Sequence, residues 1–329
     1  MKKINWAVLG TASIAKEETI PAMRMSKNTN LYAIAGREQE KVNEFKERFG
    51  FEVGYTDLQA CIDDPMVDAV YIPLPNHIHK EWIIKSARAK KHILCEKPLA
   101  ASAEDILEIM RVCEEEGVYF MEAFAFLHCP LIEDLIKRVK SGEIGNVRFM
   151  EMFFYIPTFY LENDIRGKKE TLGGGQYDLG CYNIAMILKL MDELPTAIHA
   201  LGKFSDAGID QYCHALLEFE NGAMATSSSG MVLDRTVNYR MDELYVKGDA
   251  GQIDLKFPYN ASGPLSYEVT KNEKKEVVEM TVPNNYLLEL DQFNRVINGL
   301  EKPHVSAEFS YRVAMVQDKI LEKIGYWEK

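Results

Sequence analysis

Ile4–Leu9, INWAVL, is followed at once by Gly10-Thr11-Ala12-Ser13-Ile14-Ala15, and these twelve residues are the strongest indication of the fold. An apolar run interrupted only by Asn5 is typical of a strand buried on both faces. In a Rossmann unit, a glycine-rich turn follows the first strand and opens a helix whose N–H groups bind a pyrophosphate. Here Gly10 holds the first glycine position, and Ala12 and Ala15 hold the second and third. We therefore predict a dinucleotide site, although an ordinary strand-to-helix turn explains the hexapeptide alone equally well. The predicted cofactor-binding residues of this turn are Gly10, Thr11, Ala12, Ser13 and Ile14.

The first part of the chain alternates short apolar runs with segments of helical period. Further strands are predicted at 31–35, 69–72, 92–95 and 118–121. Helices are predicted at 39–49, 78–89 and 103–116, with another leading towards Arg24. Strands that alternate with helices pair in parallel through right-handed crossovers. We therefore predict an α/β fold with a parallel Rossmann sheet over residues 1–122.

After residue 122 the pattern changes to longer strands. The predicted strands are 147–156, 198–204, 212–220, 223–229 and 243–248, and Asn221-Gly222 between two of them is a typical hairpin turn. Helices are predicted at 131–140, 177–191, 286–298 and 307–324. We therefore expect residues 123–329 to form an α+β domain with a large open, mostly antiparallel sheet.

Composition narrows the possible partners. A chain of 329 residues corresponds to about two domains. Its net charge of −12 disfavours nucleic acid, and no apolar stretch approaches the roughly 18 residues that span a membrane.

The start MKKINWAVLG does not have the pattern of a signal peptide, so we expect a cytoplasmic protein. Its six scattered cysteines are predicted to be small buried hydrophobes, and no metal site is predicted, because His77 and His79 have no third ligand at a recognisable spacing.

The segment Ala35-Gly36-Arg37 bears on the choice of cofactor. Sites that prefer NAD place an acid here for the ribose 2′-hydroxyl, whereas NADP sites remove the acid and supply an arginine. Gly36 leaves space, and Arg37 provides the guanidinium that suits a phosphate. We therefore predict NADP(H) over NAD(H), the alternative being a surface arginine that opens the next helix.

Two further segments carry candidate chemistry. Lys97 of Glu96-Lys97-Pro98 follows a predicted strand, at the edge of a parallel sheet where ligands bind. Behind a flexible glycine loop at 173–175, Asp178 and Tyr182 are four residues apart, which places them on one side of a helix. A tyrosine can protonate an oxygen that gains charge as hydride arrives if a cation lowers its pKa from about 10, and Lys97 is the candidate cation. Taken singly, each residue also has an ordinary structural explanation. Lys97 could be a surface lysine, Asp178 an N-capping acid and Tyr182 a core tyrosine.

Together these motifs resemble the Gfo/Idh/MocA oxidoreductases over essentially the whole chain. The most specific matches are CEKPLA at 95–100, PLPNHIH at 73–79, MEAF at 121–124 and GGGQYDLGCYN at 173–183. The chain is most similar to the branch of dimeric dihydrodiol dehydrogenases and NADP-linked D-xylose dehydrogenases, which also carry a tyrosine where many relatives have histidine. It departs from the family at Ala12, which replaces the middle glycine, and at 124–130, which lacks the usual polar and basic residues.

The resemblance implies an NADP(H)-dependent oxidoreductase acting on a CH–OH group of a sugar, polyol or dihydrodiol. Lys97, Asp178 and Tyr182 would be catalytic, with Tyr182 as the acid/base. Along the cofactor it places Pro75, Asn76, Glu96 and Lys97, and it gives His79 a structural role.

The resemblance also implies that residues 123–329 bind substrate and form a homodimer or higher homo-oligomer through their sheet. Loops at 124–128, 158–169 and 231–239 are expected to surround the substrate. Two alternatives remain open. An NAD-linked inositol-type dehydrogenase would carry an acid at Gly36 and a histidine at Tyr182, and a non-catalytic regulator would bind the cofactor without turnover.

Overall fold

A computed structural model describes residues 1–157, 164–231, 240–256 and 259–328 of the chain. The chain divides into two compact units. The first contains Met1–His128 and Asn284–Tyr311, and the second contains Cys129–Pro283 and Arg312–Lys329. The division into a cofactor domain ending at residue 122 and a substrate domain beginning at residue 123 stays a prediction. Residues 284–311, which that division assigns to the second domain, pack within the first unit.

The first unit is built on a six-stranded parallel sheet. Its strands are β1 (Ile4–Leu9), β2 (Thr29–Ala35), β3 (Val53–Tyr55), β4 (Ala69–Ile72), β5 (His92–Glu96) and β6 (Phe120–Ala123). The spatial order is β3-β2-β1-β4-β5-β6, so the direction of strand succession reverses between β1 and β4. In such sheets, ligands bind outside the carboxyl ends of the strands at this reversal. The predicted Rossmann sheet is confirmed, with β3 added and β6 displaced by two residues.

Five helices connect these strands. They are α1 (Ile20–Met25), preceded by a π-helical turn at Ala15–Thr19, α2 (Gln39–Phe49), α3 (Leu58–Asp63), α4 (His79–Arg88) and α5 (Ala103–Glu116). Local sequence signals set the ends of α5: the Ser102 hydroxyl accepts a hydrogen bond from the Asp105 N–H, and Gly117 ends the helix at a φ of 69°. Both are favoured helix-end residues, which is why the bounds of α5 match the prediction.

The second unit carries helices α6 (Pro130–Lys140) and α7 (Cys181–Met191) and an eight-stranded sheet. The strands are β7 (Val147–Tyr155), β8 (Ala197–Phe204), β9 (Asp210–Glu218), β10 (Met224–Gly230), β11 (Met241–Gly248), β12 (Gln252–Lys256), β13 (Gly263–Lys271) and β14 (Lys274–Val282). Their order is β14-β13-β12-β11-β7-β10-β9-β8, and every neighbouring pair is antiparallel except β7 with β10. The predicted open, mostly antiparallel sheet is confirmed.

Two helices close the chain, α8 (Asn285–Ile297) and α9 (Ala307–Lys323). Helix α8 packs within the first unit because it completes the surroundings of the buried Trp6 of β1. The Trp6 indole N–H donates to the Asn294 side-chain oxygen over 3.0 Å, and Phe293 packs against the Trp6 ring. A buried indole N–H requires such a partner. None of the helices in the described part of the chain is long and apolar enough to cross a membrane.

Candidate functional site

The turn after β1 has the geometry of a phosphate-binding turn. Gly10 has a φ of 126°, and its N–H donates to the Ala35 carbonyl over 2.8 Å. A Cβ at this position would lie 3.2 Å from Leu74 Cδ2, so both backbone and space require glycine. The Lys16 N–H donates to the Ala12 carbonyl, which marks the start of helical bonding. The preceding N–H groups of the turn are therefore outside the helical ladder and can bind an anion.

The end of β2 lies against this turn. A Cβ at Gly36 would lie 3.2 Å from Thr11 Cγ2 and 3.3 Å from Val42 Cγ2, so a side chain fits here only if its neighbours move. Arg37 is exposed and forms no ion pair within residues 1–157, 164–231, 240–256 and 259–328. The neighbouring Glu38 is paired with Lys41 over 2.8 Å. The Arg37 guanidinium is therefore in a position to meet an external anion.

The segments after β4 and β5 are tied together by a buried histidine. His79 Nδ1 lies 2.9 Å from the Pro98 carbonyl oxygen, and Nε2 lies 2.7 Å from that of Leu74. Burial lowers the pKa of His79. This ring joins the segment that contains Pro75 and Asn76 to the Glu96-Lys97-Pro98 segment. The contacts agree with the structural role expected of His79.

Glu96 is connected to the helical turn that follows Gly10. The Tyr71 hydroxyl donates to Glu96 Oε1 over 2.6 Å, and the Thr19 hydroxyl donates to Tyr71 over 3.0 Å. Burial, together with the charge of Glu96, raises the pKa of Tyr71 well above its ordinary value. Tyr71 therefore remains a proton donor that fixes the Glu96 carboxylate.

A second buried carboxyl group supports the Lys97 segment. Glu122 at the end of β6 accepts a hydrogen bond from the Leu99 N–H over 2.9 Å. Burial raises the pKa of Glu122 to about 7. The MEAF motif thus contributes a carboxyl group that holds the chain two residues after Lys97.

Asp178 in the second unit forms an ion pair that the sequence analysis missed. It lies in a π-helical turn, Gln176–Gly180, that leads into α7. Its Oδ2 accepts a hydrogen bond from Arg166 Nε over 3.0 Å, and Asp178 is only 9% exposed. The N-cap position belongs to Gly175, so Asp178 is not the N-capping acid of the alternative interpretation. The charge of Asp178 raises the pKa of Arg166.

Tyr182 lies one turn further, in the first turn of α7, within an aromatic cluster. Its ring is parallel to that of Tyr259, with centroids 6.0 Å apart and an interplanar angle of 7°. The Phe154 ring meets it edge-on at 5.2 Å. These contacts fix the plane of the ring, as in the alternative interpretation of a core tyrosine.

The glycine loop before this helix is closely packed, which corrects the expectation of a flexible loop. A Cβ at Gly173 would lie 2.3 Å from the Arg166 carbonyl oxygen. One at Gly174, whose φ is 109°, would lie 2.1 Å from Asp210 Oδ1. The glycines are therefore explained by the close approach of neighbouring atoms.

The structure brings the predicted cofactor residues to one edge of the six-stranded sheet. These are the residues that follow β1, β2 and β4 and those at the end of β5, namely Gly10–Ile14, Gly36, Arg37, Pro75, Asn76, Glu96 and Lys97. Lys97 belongs to the first unit, and Asp178 and Tyr182 belong to the second. Their joint catalytic role stays a prediction. Of the loops expected around the substrate, residues 158–163 and 232–239 lie outside the described residues.

Three supporting residues were missed by the sequence analysis: Arg166, Asp210 and Tyr259. Each acts through a contact with a residue distant in the chain, so no local spacing pointed to them. The clearest available signal was Asp210, an acid that opens strand β9 directly after the apolar Ile209. Among the described residues, no group of three or more His, Cys, Asp or Glu side chains has an arrangement that could hold a metal ion.

Comparisons with known proteins cover both halves of the chain. Residues 4–124 match a family model described as "Oxidoreductase family, NAD-binding Rossmann fold", and residues 132–254 match one described as "GFO/IDH/MocA C-terminal domain".

Curated relatives match nearly the whole chain. D-xylose 1-dehydrogenase (NADP(+)) 2 of Haloferax volcanii is 32% identical over 320 residues, 96% of each chain. Trans-1,2-dihydrobenzene-1,2-diol dehydrogenase of Xenopus tropicalis is 25% identical over 97% of this chain and 98% of its own. Among solved structures, KijD10, a 3-ketoreductase from Actinomadura kijaniata in complex with NADP and TDP-benzene, has a TM-score of 0.90 at 28% identity, and 98% of each chain is covered.

Proposed function

Because the chain belongs to the oxidoreductase family with an NAD-binding Rossmann fold and a GFO/IDH/MocA C-terminal domain, we propose that it transfers hydride between NADP(H) and a CH–OH group of a sugar, polyol or dihydrodiol. The observation that carries this proposal is the edge of the six-stranded sheet, where Gly10 opens an anion-binding turn, Gly36 stands where an NAD site has an acid, and Arg37 supplies a cation. The names of the relatives support the cofactor and the substrate class.

The residues of the first unit fit NADP(H). The positive φ of Gly10 turns the chain directly after β1, and the N–H groups that follow lie ahead of the first helical hydrogen bond, where they can bind a pyrophosphate. Gly36 supplies no carboxylate to repel a 2′-phosphate, and Arg37 supplies a cation for it. The NAD-linked inositol-type alternative expects an acid at position 36 and a histidine at position 182, and the chain has neither.

The proposed chemistry assigns one task to each residue of the catalytic set. Bound NADPH supplies the hydride that reduces a carbonyl carbon, and bound NADP⁺ accepts it in the reverse direction. Tyr182 donates its hydroxyl proton to the substrate oxygen during reduction and removes it during oxidation. Lys97 orients the substrate hydroxyl and supplies a positive charge that favours the phenolate form of the tyrosine. Asp178, whose Oδ2 is held by Arg166, accepts a hydrogen bond from the substrate hydroxyl.

A substrate screen tests this function. The purified protein is mixed with NADP⁺ and aldoses, polyols or dihydrodiols, and with NADPH and keto sugars in free or nucleotide-linked form, while absorbance at 340 nm is followed. We expect turnover with at least one of these classes and a preference for NADP(H). Turnover of inositols with NAD⁺ would favour the inositol-type alternative. Cofactor binding without turnover of any substrate would favour the regulator.

We also propose a homodimer or higher homo-oligomer that forms through the open face of the eight-stranded sheet. Leu201, His214, Ser228 and Phe153 are in register across β8, β9, β10 and β7, and Leu201 is 80% exposed. Burying Leu201 against a second copy of the chain would remove its apolar side chain from water, which favours association. Sedimentation of the wild-type protein and of Leu201→Glu tests the proposal, which requires the variant to dissociate.

A cytoplasmic location is proposed as well. It is supported by the six cysteines, which are all buried free thiols, as predicted. Fractionation of the source cells tests it, and recovery outside the cytoplasm would contradict it.

A further inference from the structure

Arg166 occupies a position between two carboxylates of the second unit. Its Nε donates to Asp178 Oδ2 over 3.0 Å, and its Nη1 lies 3.3 Å from both carboxylate oxygens of Asp164. Asp178 is the more buried partner, with 12% of its side chain exposed against 35% for Asp164. A buried carboxylate depends on its partner for charge compensation. Arg166 therefore supplies charge compensation to Asp178 and restrains its orientation.

The backbone of Arg166 is itself held by the glycine loop. The Gly174 N–H donates to the Arg166 carbonyl over 2.9 Å, and the Gly173 N–H donates to the Lys168 carbonyl over 2.9 Å. Any side chain at Gly173 would collide with the Arg166 carbonyl, since its Cβ would lie 2.3 Å away. On the other side, the Arg166 N–H donates to Asp164 Oδ1. Arg166 is thus fixed at its backbone as well as at its guanidinium.

Asp210 holds the same loop from the sheet. Its Oδ2 accepts a hydrogen bond from the Gln176 N–H over 2.7 Å, at the start of the π-helical turn that carries Asp178. Gly174 approaches Asp210 Oδ1 so closely that its Cβ would lie 2.1 Å from that oxygen. A continuous set of contacts therefore runs from β9 through the glycine loop to Arg166 and from there to Asp178.

We propose that Arg166 is a positioning residue, which fixes the orientation and charge of Asp178 for the reaction, and that Gly173 and Gly174 serve to seat it. The inference rests on the proposed function, because it assigns Arg166 a task only if Asp178 contacts substrate. It predicts that losing the guanidinium impairs turnover while cofactor binding, whose proposed residues lie in the first unit, is retained.

The test is a double-mutant cycle on turnover. Arg166→Met removes the charge at similar length and is expected to lower kcat about 10- to 100-fold, because misplacing a group by about 1 Å can cost about 10²-fold. The Kd of NADPH is expected to stay within about twofold of wild type. In an Asp178→Asn background, the same substitution is expected to lower kcat by less than about threefold, because the residue through which Arg166 acts is already changed.

Arg295→Met is the matched control. Arg295 donates to Glu301 over 2.6 Å, and 39% of its side chain is exposed, close to the 43% of Arg166. Its kcat is expected to match wild type. If Arg166→Met does not fold, Arg166→Gln is a second charge-free variant that must show the same loss and the same coupling to Asp178.

The outcomes separate this inference from the function on which it rests. If the wild-type protein turns over substrate and the Arg166 variant has the same kcat, the positioning role is overturned and the proposed function stands. A full additional loss in the Asp178→Asn background also overturns it, because Arg166 would then act independently of Asp178. A wild-type protein that turns over no substrate overturns the proposed function and this inference with it.

Discussion

Replacing Tyr182 with phenylalanine removes one oxygen atom from the candidate catalytic set and leaves the ring in place. The ring is held by the parallel Tyr259 ring at 6.0 Å and by the edge of Phe154 at 5.2 Å, and phenylalanine retains both contacts. The substitution therefore separates the chemistry of the hydroxyl from the packing of the ring.

The structure sets the expected magnitudes. Because the aromatic contacts remain, unfolding free energy should change by no more than the roughly 0.5–1.5 kcal/mol of one hydrogen bond. Loss of a general acid/base is expected to lower kcat about 10²- to 10⁴-fold, equivalent to about 3–5 kcal/mol of transition-state stabilisation. The Kd of NADPH should not change, because the proposed cofactor residues lie in the first unit.

The assay combines steady-state kinetics at 340 nm, thermal unfolding and NADPH titration on the same preparations. Tyr259→Phe is the matched control, since it removes a hydroxyl from the adjacent ring, where the hydroxyl lies 3.5 Å from Asn183 Oδ1. We expect this variant to keep kcat within about fivefold of wild type. A Tyr182→Phe protein that is folded and has wild-type kcat would refute the assignment of Tyr182 as the acid/base.

Three other predictions concern the cofactor edge and buried carboxyl groups. Arg37→Ala should weaken NADPH binding about 10- to 100-fold, because a hydrogen bond to a charged group contributes about 1.5–3 kcal/mol, and should leave NADH unaffected in calorimetric titrations. Equal losses for both cofactors would show that Arg37 does not bind the 2′-phosphate. Gly36→Asp should weaken NADPH binding without creating tight NADH binding, because the new Cβ would lie 3.2 Å from Thr11 Cγ2. A gain in NADH affinity of more than about tenfold would contradict this prediction. Burial raises the pKa of both Asp210 and Glu122 to about 7, so the folded state holds more protons than the unfolded state from about pH 4 to pH 7, and stability falls as pH rises. Asp210→Asn should make the fall in Tm with rising pH less steep. An unchanged slope would show that Asp210 does not contribute to the pH dependence of stability.

Much of the first unit could be predicted from local sequence. The bounds of β1, α2, β4 and α5 agree with the prediction, because each is marked by a mainly apolar run or by a helix-end residue such as Ser102, Gly50 or Gly117. Strand β3 has three residues, too few to give a periodic signal. Strands β13 and β14 were missed because charged residues flank their turn. That turn relies on positive φ angles at Asn272 and Glu273, and only the first of these is a typical turn residue.

The candidate site was predictable where it follows strand ends and not where it depends on tertiary contacts. A recognisable strand directly precedes each of Gly10, Gly36 and Lys97. Because these strands are parallel, the three residues lie at the same edge of the sheet. Arg166 gave no signal, since its pairing with Asp178 depends on the seat formed by the glycine loop. The packing of α8 in the first unit also depends on a distant partner, the indole of Trp6.

The central claim, that the first unit binds NADP(H) for an oxidoreductase, is tested most directly by paired titrations with NADPH and NADH. Binding is followed by tryptophan fluorescence or by thermal shift under identical conditions. We predict tight binding of NADPH and much weaker binding of NADH, because Arg37 and the acid-free position at Gly36 favour a 2′-phosphate. Tighter binding of NADH would contradict the assignment of the cofactor, and failure of both to bind would contradict the account of the Gly10 turn.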